Sequence, residues 1–251
     1  MRYFFTLAVN GLTDMRINTV LDLPEYQLQR SLNLYGSPAC KGLVTQAAAY
    51  RQAIILQQTP EALYLRLCED HYQGWIPLRD RYILTPAPQP YQAPQVSATA
   101  IQERIPKVVA FCHAAQAQTH CYLWGGTIAP DYDCSGLMQA AFQSVGVWIP
   151  RDAYQQEAFA QKIPLSLASY PFQEADFLPL QVGDLIFFGT PEKATHVALY
   201  LGKGIYIHSS GTDQGRNGIG IDTLLASTDR VSQTYGQQLR GAGRIVSSYG
   251  S

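Results

Sequence analysis

Residues 131–142 read DYDCSGLMQAAF, and where this stretch changes from turn to helix decides how the rest of the chain is arranged. Asp133 is a residue type that accepts hydrogen bonds from the unpaired N–H groups of a first helical turn. LMQAAF after it has the composition of a buried helix, and Gly146 is placed to stop it. The spacing predicts a helix beginning near residue 133, with Cys134 in its first turn. A thiol there is either a small buried apolar group or a nucleophile. The helix dipole and the free amides favour thiolate over a thiol of pKa ~8.5, and the same amides suit a developing oxyanion.

Working outward, TAIQERIPKVVAFCHAAQA (99–117) places Ile101, Ile105, Val108, Val109 and Cys112 at helical spacing. From Val182 the pattern becomes strand-like: DLIFF, HVALYL and GIYIH, separated by Gly and Pro turns. Helices followed by strands predict an α+β domain with helices packed on an antiparallel sheet. Alternation along THVALYLG puts His196, Ala198 and Tyr200 on one face, and along GIYIH it puts His208 with Tyr206. A hairpin turning at residues 202–204 brings both histidines to the same face, one able to serve as base and the other to orient it.

Ahead of this domain, TPAPQPYQAPQ (85–95) carries prolines at 86, 88, 90 and 94 and reads as a semi-rigid, extended linker. Residues 26–84 hold short strand patterns (LNLY, QAIILQQ, ALYLRL, GWIPL) separated by turns, which predicts a small antiparallel barrel. The expected organisation is an extension over 1–25, a barrel over 26–84, a linker over 85–98 and the α+β domain over 99–251.

Composition narrows the chemistry. The 251 residues are 47% hydrophobic and 15% charged, with 18 Lys+Arg against 19 Asp+Glu; this is globular, and no basic run suits nucleic acid. Sixteen tyrosines fit strands and a polar-aromatic cleft. Five scattered cysteines with no C-x-x-C argue against a disulfide framework or a zinc ribbon. Cys112, His113, His120 and Cys121, on a helix and the turn after it, do not converge on one ion, so neither a metal nor a cofactor is expected. MRYFFTLAVNGLTD is a weak candidate for an export signal, and no stretch nears the ~20 apolar residues of a membrane span. The expectation is a cytoplasmic protein with no membrane partner.

YLWGGTIAPDYDCSGLMQAAFQSVGVWIPRDAYQQ, VGDLIFFG and THVALYLGKGIYIHSSG together resemble the NlpC/P60 cysteine peptidases of cell-wall peptide metabolism. The shared pattern is a Tyr and a Gly-Gly before a D-C-S-G turn, a G-D-L strand, an H-V, and a third polar residue on the next strand. The resemblance covers residues 100–245 and implies a papain-like domain with Cys134 as nucleophile, His196 as base and His208 as the orienting third member. LNLYGSPAC and YLRLCEDHYQGWIPL resemble an SH3b domain. SH3b followed by NlpC/P60 is the arrangement of γ-D-glutamyl-L-diamino-acid endopeptidases, cyanobacterial forms among them. In those enzymes the SH3b domain narrows the cleft to murein tri- and tetrapeptides with a free N-terminal L-Ala. By that resemblance Tyr122, Asp133 and Ser135 contact substrate, and Tyr72, Glu69 and Asp70 supply the barrel's part of the amine site.

Each residue has a plainer reading. Asp133 and Ser135 serve equally as helix cap and first-turn residue, Glu69 and Asp70 as a solvated turn, and Arg151 and Asp152 as a structural pair. At the level of function, a thiol amidase or acyltransferase on the same fold and a non-catalytic SH3b wall-binding protein are the alternatives. The 61 residues between Cys134 and His196 (135–195) suggest an extra loop at the cleft edge.

Overall fold

The computed structural model describes residues 23–165 and 169–250, so nearly all of the extension expected over 1–25, and any export signal in it, lies outside the described residues. The first domain is a seven-stranded antiparallel sheet: β1 (Glu25–Leu28), β2 (Leu32–Tyr35), β3 (Leu43–Ala47), β4 (Gln52–Gln58), β5 (Ala62–Leu67), β6 (Gln73–Pro77) and β7 (Leu84–Pro86), in the order β3-β2-β6-β5-β4-β1-β7. Alternation in ALYLRL sends Leu63, Leu65 and Leu67 inward, where they pack with Leu28, Leu34, Ala53 and Ile76. The barrel reaches two residues into the segment read as linker, because Thr85 and Pro86 pair with Gln27 and Tyr26 of β1. Proline has no N–H to donate, and Pro86 is tolerated there because β7 is an edge strand.

The second domain opens with α1 (Ala98–Gln116), capped by the Ser97 hydroxyl on the Ala100 N–H. Ile101, Ile105, Val108, Cys112 and Ala115 form its buried stripe. A two-stranded ribbon, β8 (Thr127–Ile128) and β9 (Asp131–Tyr132), leads into α2 (Cys134–Gln143). Residues 134–142 are all buried, so α2 is a central helix rather than an amphipathic surface one. Full burial of Leu137, Met138 and Phe142 stabilises it by about 1.5–3 kcal/mol per side chain. It ends where Gly146 enters the left-handed region, at φ 75°.

Then follow α3 (Ala153–Phe159), β10 (Gln161–Ile163), β11 (Leu185–Gly189), β12 (Ala194–Gly202), β13 (Ile205–Ser210), β14 (Gly218–Thr223), α4 (Arg230–Gln237) and β15 (Leu239–Arg244). The strands form one antiparallel sheet, β10-β15-β11-β12-β13-β14. Val197, Leu199 and Ile207 face α1 and α2, while Ala198, Tyr200 and Tyr206 face the other way, as the alternation predicts. That second face is covered by Phe172, Phe177 and Leu180, together with Val231 and Tyr235 of α4. In the long interval between Cys134 and His196, Phe172, Phe177 and Leu180 thus add a second hydrophobic layer to the sheet instead of a cleft-edge loop, while residues 152–154 and 193–195 line the cleft.

Candidate active site

The turn before α2 is held from both sides. Asp133 Oδ1 accepts from the Gly136 N–H at 2.7 Å and Oδ2 from the Gly125 N–H at 2.8 Å. Gly125 sits at φ 81°, and a Cβ on Gly136 would lie 1.9 Å from the Gly126 carbonyl oxygen, so both positions require glycine. Arg151, 1% exposed, closes the remaining side. Its Nη2 is 2.6 Å from Asp133 Oδ2, its Nη1 donates to Asp133 Oδ1 and to Ser135 Oγ, and its Nε donates to Thr45 Oγ1 on β3. Asp133 is thus a helix cap and the partner of a buried guanidinium, with both oxygens engaged. That geometry favours the structural reading of Asp133 over an amine-gripping one, and it ties the Ser135 hydroxyl into the same cluster.

Cys134 takes the first position of α2 and is 7% exposed, on the wall of the cleft. Sequence alone suggested a thiol shifted toward thiolate by the helix start. Burial, reinforced by the neighbouring Asp133 carboxylate, instead pushes the thiol up to about 12. The backbone N–H groups of Val197 and Ser135 point at the sulfur and partly oppose this. The Gly136 and Leu137 amides are spent on Asp133 and the Ser135 amide on the sulfur, which leaves the amide of residue 134 as the oxyanion candidate.

Strands β12 and β13 pair antiparallel and bring the two histidines together. His196 Nε2 lies 2.7 Å from His208 Nδ1, and His208 Nε2 lies 2.7 Å from Asp222 Oδ2 on β14. The His196 ring stacks on Tyr235 at 4.2 Å between centroids. Its Nδ1 is the ring nitrogen not used by His208, and the next residue, Val197, donates its N–H to the Cys134 sulfur. Burial and then His208 hold His196 well below its ordinary pKa of 6.5; burial also lowers His208, opposed by Asp222. These directions favour a neutral thiol and neutral imidazoles near pH 7. Asp222 was not singled out in the sequence; its only signal was an acidic residue at the end of the alternating strand GIGID.

The cleft wall mixes both domains. Val44 and Tyr72 come from the barrel, and Tyr122, Trp124, Asp152 and Lys193 from the second domain. The Tyr72 hydroxyl is hydrogen-bonded to Asp152, whose carboxyl is raised above its ordinary value by burial in spite of Arg151. Tyr122 holds its backbone N–H on Asn217 and has its phenol raised, first by burial and then by Cys134.

Glu69 and Asp70 are elsewhere. Arg51, 4% exposed, takes Glu69 Oε2 at 3.0 Å and Asp70 Oδ1 at 2.8 Å, and Asp70 Oδ2 accepts from Gln139 of α2 at 2.9 Å. Neither carboxylate lines the cleft. Buried charges need a partner, and theirs is Arg51, so the barrel's acidic pair docks the domains instead of reaching the substrate side. His120, from the Cys/His group at residues 112–121, donates through Nδ1 to the Gln118 carbonyl and accepts the Ile219 N–H on Nε2.

A cysteine at the start of a buried helix, beside an antiparallel sheet that carries a paired imidazole, has the parts a thiol hydrolase needs, on an α+β fold. Comparison with known proteins sharpens that class. Residues 119–239 match the NlpC/P60 family, and residues 34–80 match the bacterial dipeptidyl-peptidase Sh3 domain. Residues 119–239 are thus an NlpC/P60 domain, of a family of cysteine peptidases, and an SH3b domain stands in front of it.

It is 37% identical over 94 residues to a gamma-D-glutamyl-L-lysine dipeptidyl-peptidase of Bacillus subtilis, covering 36% of this chain and 28% of that one. It is 38% identical over 118 residues to dipeptidyl-peptidase 6 of Lysinibacillus sphaericus, covering 47% and 35%. The chain thus matches only about a third of the length of these curated relatives. Among solved structures, an NlpC/P60 family protein from Bacillus cereus aligns over 89% of this chain and 64% of its own, at 22% identity and a TM-score of 0.44.

Proposed function

We propose that this protein is a cysteine endopeptidase that hydrolyses the bond between γ-D-Glu and a diamino acid (diaminopimelate or Lys) in murein peptides with a free N-terminal L-Ala, and that it acts in the cytoplasm on recycled wall peptides. The observation that carries this reading is the 2.7 Å bond from His196 to His208 beside a helix-start cysteine, in a cleft that the barrel's Tyr72 and Val44 help to wall. Relatives named as gamma-D-glutamyl-L-lysine dipeptidyl-peptidases support the substrate class.

In the proposed course His196 Nδ1 takes the Cys134 proton as the sulfur attacks the γ-carbonyl. The oxyanion meets the amide of residue 134. Collapse of the tetrahedral adduct breaks the C–N bond, and the imidazolium returns its proton to the departing amine. Water, deprotonated by the same imidazole, then cleaves the thioester. Because neither neutral group holds its charge alone in this buried setting, thiolate and imidazolium form together during attack.

The Asp152–Tyr72 pair takes the role first assigned to Glu69 and Asp70: a carboxylate and a phenol, one from each domain, at one end of the cleft. An ammonium there pairs with the Asp152 carboxylate; an acylated amine brings no charge and leaves the acceptors unpaired. Lys193, also on the cleft wall with its ammonium 4.0 Å from the centroid of the Tyr154 ring, is a cation available to a substrate carboxylate.

Mass spectrometry after incubation with L-Ala-γ-D-Glu-meso-diaminopimelate and its N-acetylated counterpart tests the proposal. Cleavage of the first alone is expected, with none by Cys134→Ala. For Asp152→Asn a KM rise of about tenfold or more is expected, in line with the ~1–3 kcal/mol of a lost charged hydrogen bond. Equal cleavage of the two peptides would point to an amidase, and no cleavage of either would overturn the reading.

A further inference from the structure

Asp222 lies at the far end of the line of hydrogen bonds that begins at His196, and it differs from the other members in one respect. An ionised carboxylate only accepts, whereas each neutral imidazole has one donor and one acceptor nitrogen. Asp222 is 6% exposed, and three donors meet it: His208 Nε2 at 2.7 Å, Ser232 Oγ at 3.2 Å, and Arg216 Nη2 at 2.7 and 2.8 Å from its two oxygens. Burial alone would raise its carboxyl, but the hydrogen bond from His208 and the charge of Arg216 outweigh that and keep it below the ordinary carboxylate range. His208, fully buried, is held in the neutral form.

We infer that Asp222 is a positioning residue that fixes the tautomers of both histidines and thereby turns the basic nitrogen of His196 toward Cys134. With Oδ2 able only to accept, the proton of neutral His208 must sit on Nε2. Its Nδ1 then carries a lone pair and accepts from His196, so the His196 proton sits on Nε2. That leaves His196 Nδ1 unprotonated, the state a general base needs. Reversing the first bond reverses every other one: His208 would donate to His196 Nε2, and His196 would present N–H to the thiol. When His196 takes the thiol proton it becomes an imidazolium that still donates through Nε2, so the line of bonds remains satisfied through the reaction with no second proton transfer. Arg216 and Ser232 hold the carboxylate but do not touch either imidazole in this line. The inference deepens the proposed cysteine mechanism and rests on it, but two of its readouts do not depend on the substrate.

The first is 15N NMR of the histidine-labelled whole protein at neutral pH, with His208 and His196 assigned through His208→Gln and His196→Gln. Protonated Nε2 and unprotonated Nδ1 are expected for both rings; an unprotonated His208 Nε2 overturns the inference, whatever the substrate. The second is the near-isosteric Asp222→Asn, whose amide can donate as well as accept. It should give a mixture of His208 tautomers and slow iodoacetamide labelling of Cys134 at least tenfold. If murein peptide is the substrate, kcat should fall at least as much, with KM changed less than about threefold. Labelling and turnover within twofold of wild type in a folded Asp222→Asn protein would overturn it. Should that variant fail to fold, the wild-type tautomers decide alone. Loss of peptide turnover in the wild type with the expected tautomers present would count against the proposed substrate and leave the relay standing.

Discussion

The guanidinium of Arg151 reaches three residues from a fully buried position: Asp133, Ser135 and, on the barrel, Thr45. Arginine's planar fork suits the carboxylate with two parallel bonds, which lysine cannot reproduce. Arg151→Met removes one charge and strands the other beneath the turn that carries Cys134. The expected loss is about 3–5 kcal/mol of stability in urea unfolding, with Arg151→Lys recovering only part of it. Asp152, one residue on, is close to that cation yet keeps a raised carboxyl, because burial and Asp133 work against ionisation. Adjacent residues in IPRDAYQQ therefore have different duties: one pins the turn, the other faces the cleft. The sequence offered both as a single structural pair, since their side chains differ in surroundings that are not local.

At the level of elements, β12 and β13 carry two buried neutral histidines, and this makes the fold sensitive to acid. Both native pKa values lie below the ordinary 6.5, so below about pH 6.5 the unfolded chain binds protons that the native chain resists. The unfolded state then holds the larger number of protons, and stability falls as the pH drops from 6.5 toward the native pKa values. Asp222 acts in a separate window: its lowered carboxyl contributes stability that is present above 3.8 and lost only as the pH falls through its native value. Thermal unfolding should therefore show Tm falling between pH 7 and 5, with unfolding free energy lost at up to about 1.4 kcal/mol per pH unit for each histidine. His196→Gln should lessen that slope; an unchanged slope would assign the acid sensitivity to other groups. The strands themselves were readable from period-two alternation. Helices α3 and α4 were not, because AYQQEAF and RVSQTYGQ are short and polar, and tertiary contacts of Ala153, Gln156, Val231 and Tyr235 hold them.

Across the whole molecule, the barrel is a wall of the cleft and not a separate appendage. Gln46 of β3 accepts the Thr127 and Ile128 amides through Oε1 at 3.1 and 3.2 Å, and its backbone oxygen accepts the Thr127 hydroxyl at 2.7 Å. Arg51 adds a second contact, over the Trp148 ring at 4.7 Å. Gln46→Ala leaves two amides unpaired at the joint, a cost of about 1–3 kcal/mol. The expected result is weaker discrimination between free-amine and N-acetylated peptide, with iodoacetamide labelling of Cys134 unchanged. Unchanged discrimination would mean that the barrel's placement does not set it. The sequence by itself determined the helix start at Cys134 and the period-two strands that hold His196 and His208, because each depends on neighbours within one turn or one strand. Only the tertiary structure decided which charges meet: Asp133 with Arg151, Glu69 and Asp70 with Arg51, and His208 with Asp222. Those pairings join residues 14 to 19 positions apart, and buried charges choose partners by where the packed core brings them, which no local pattern encodes.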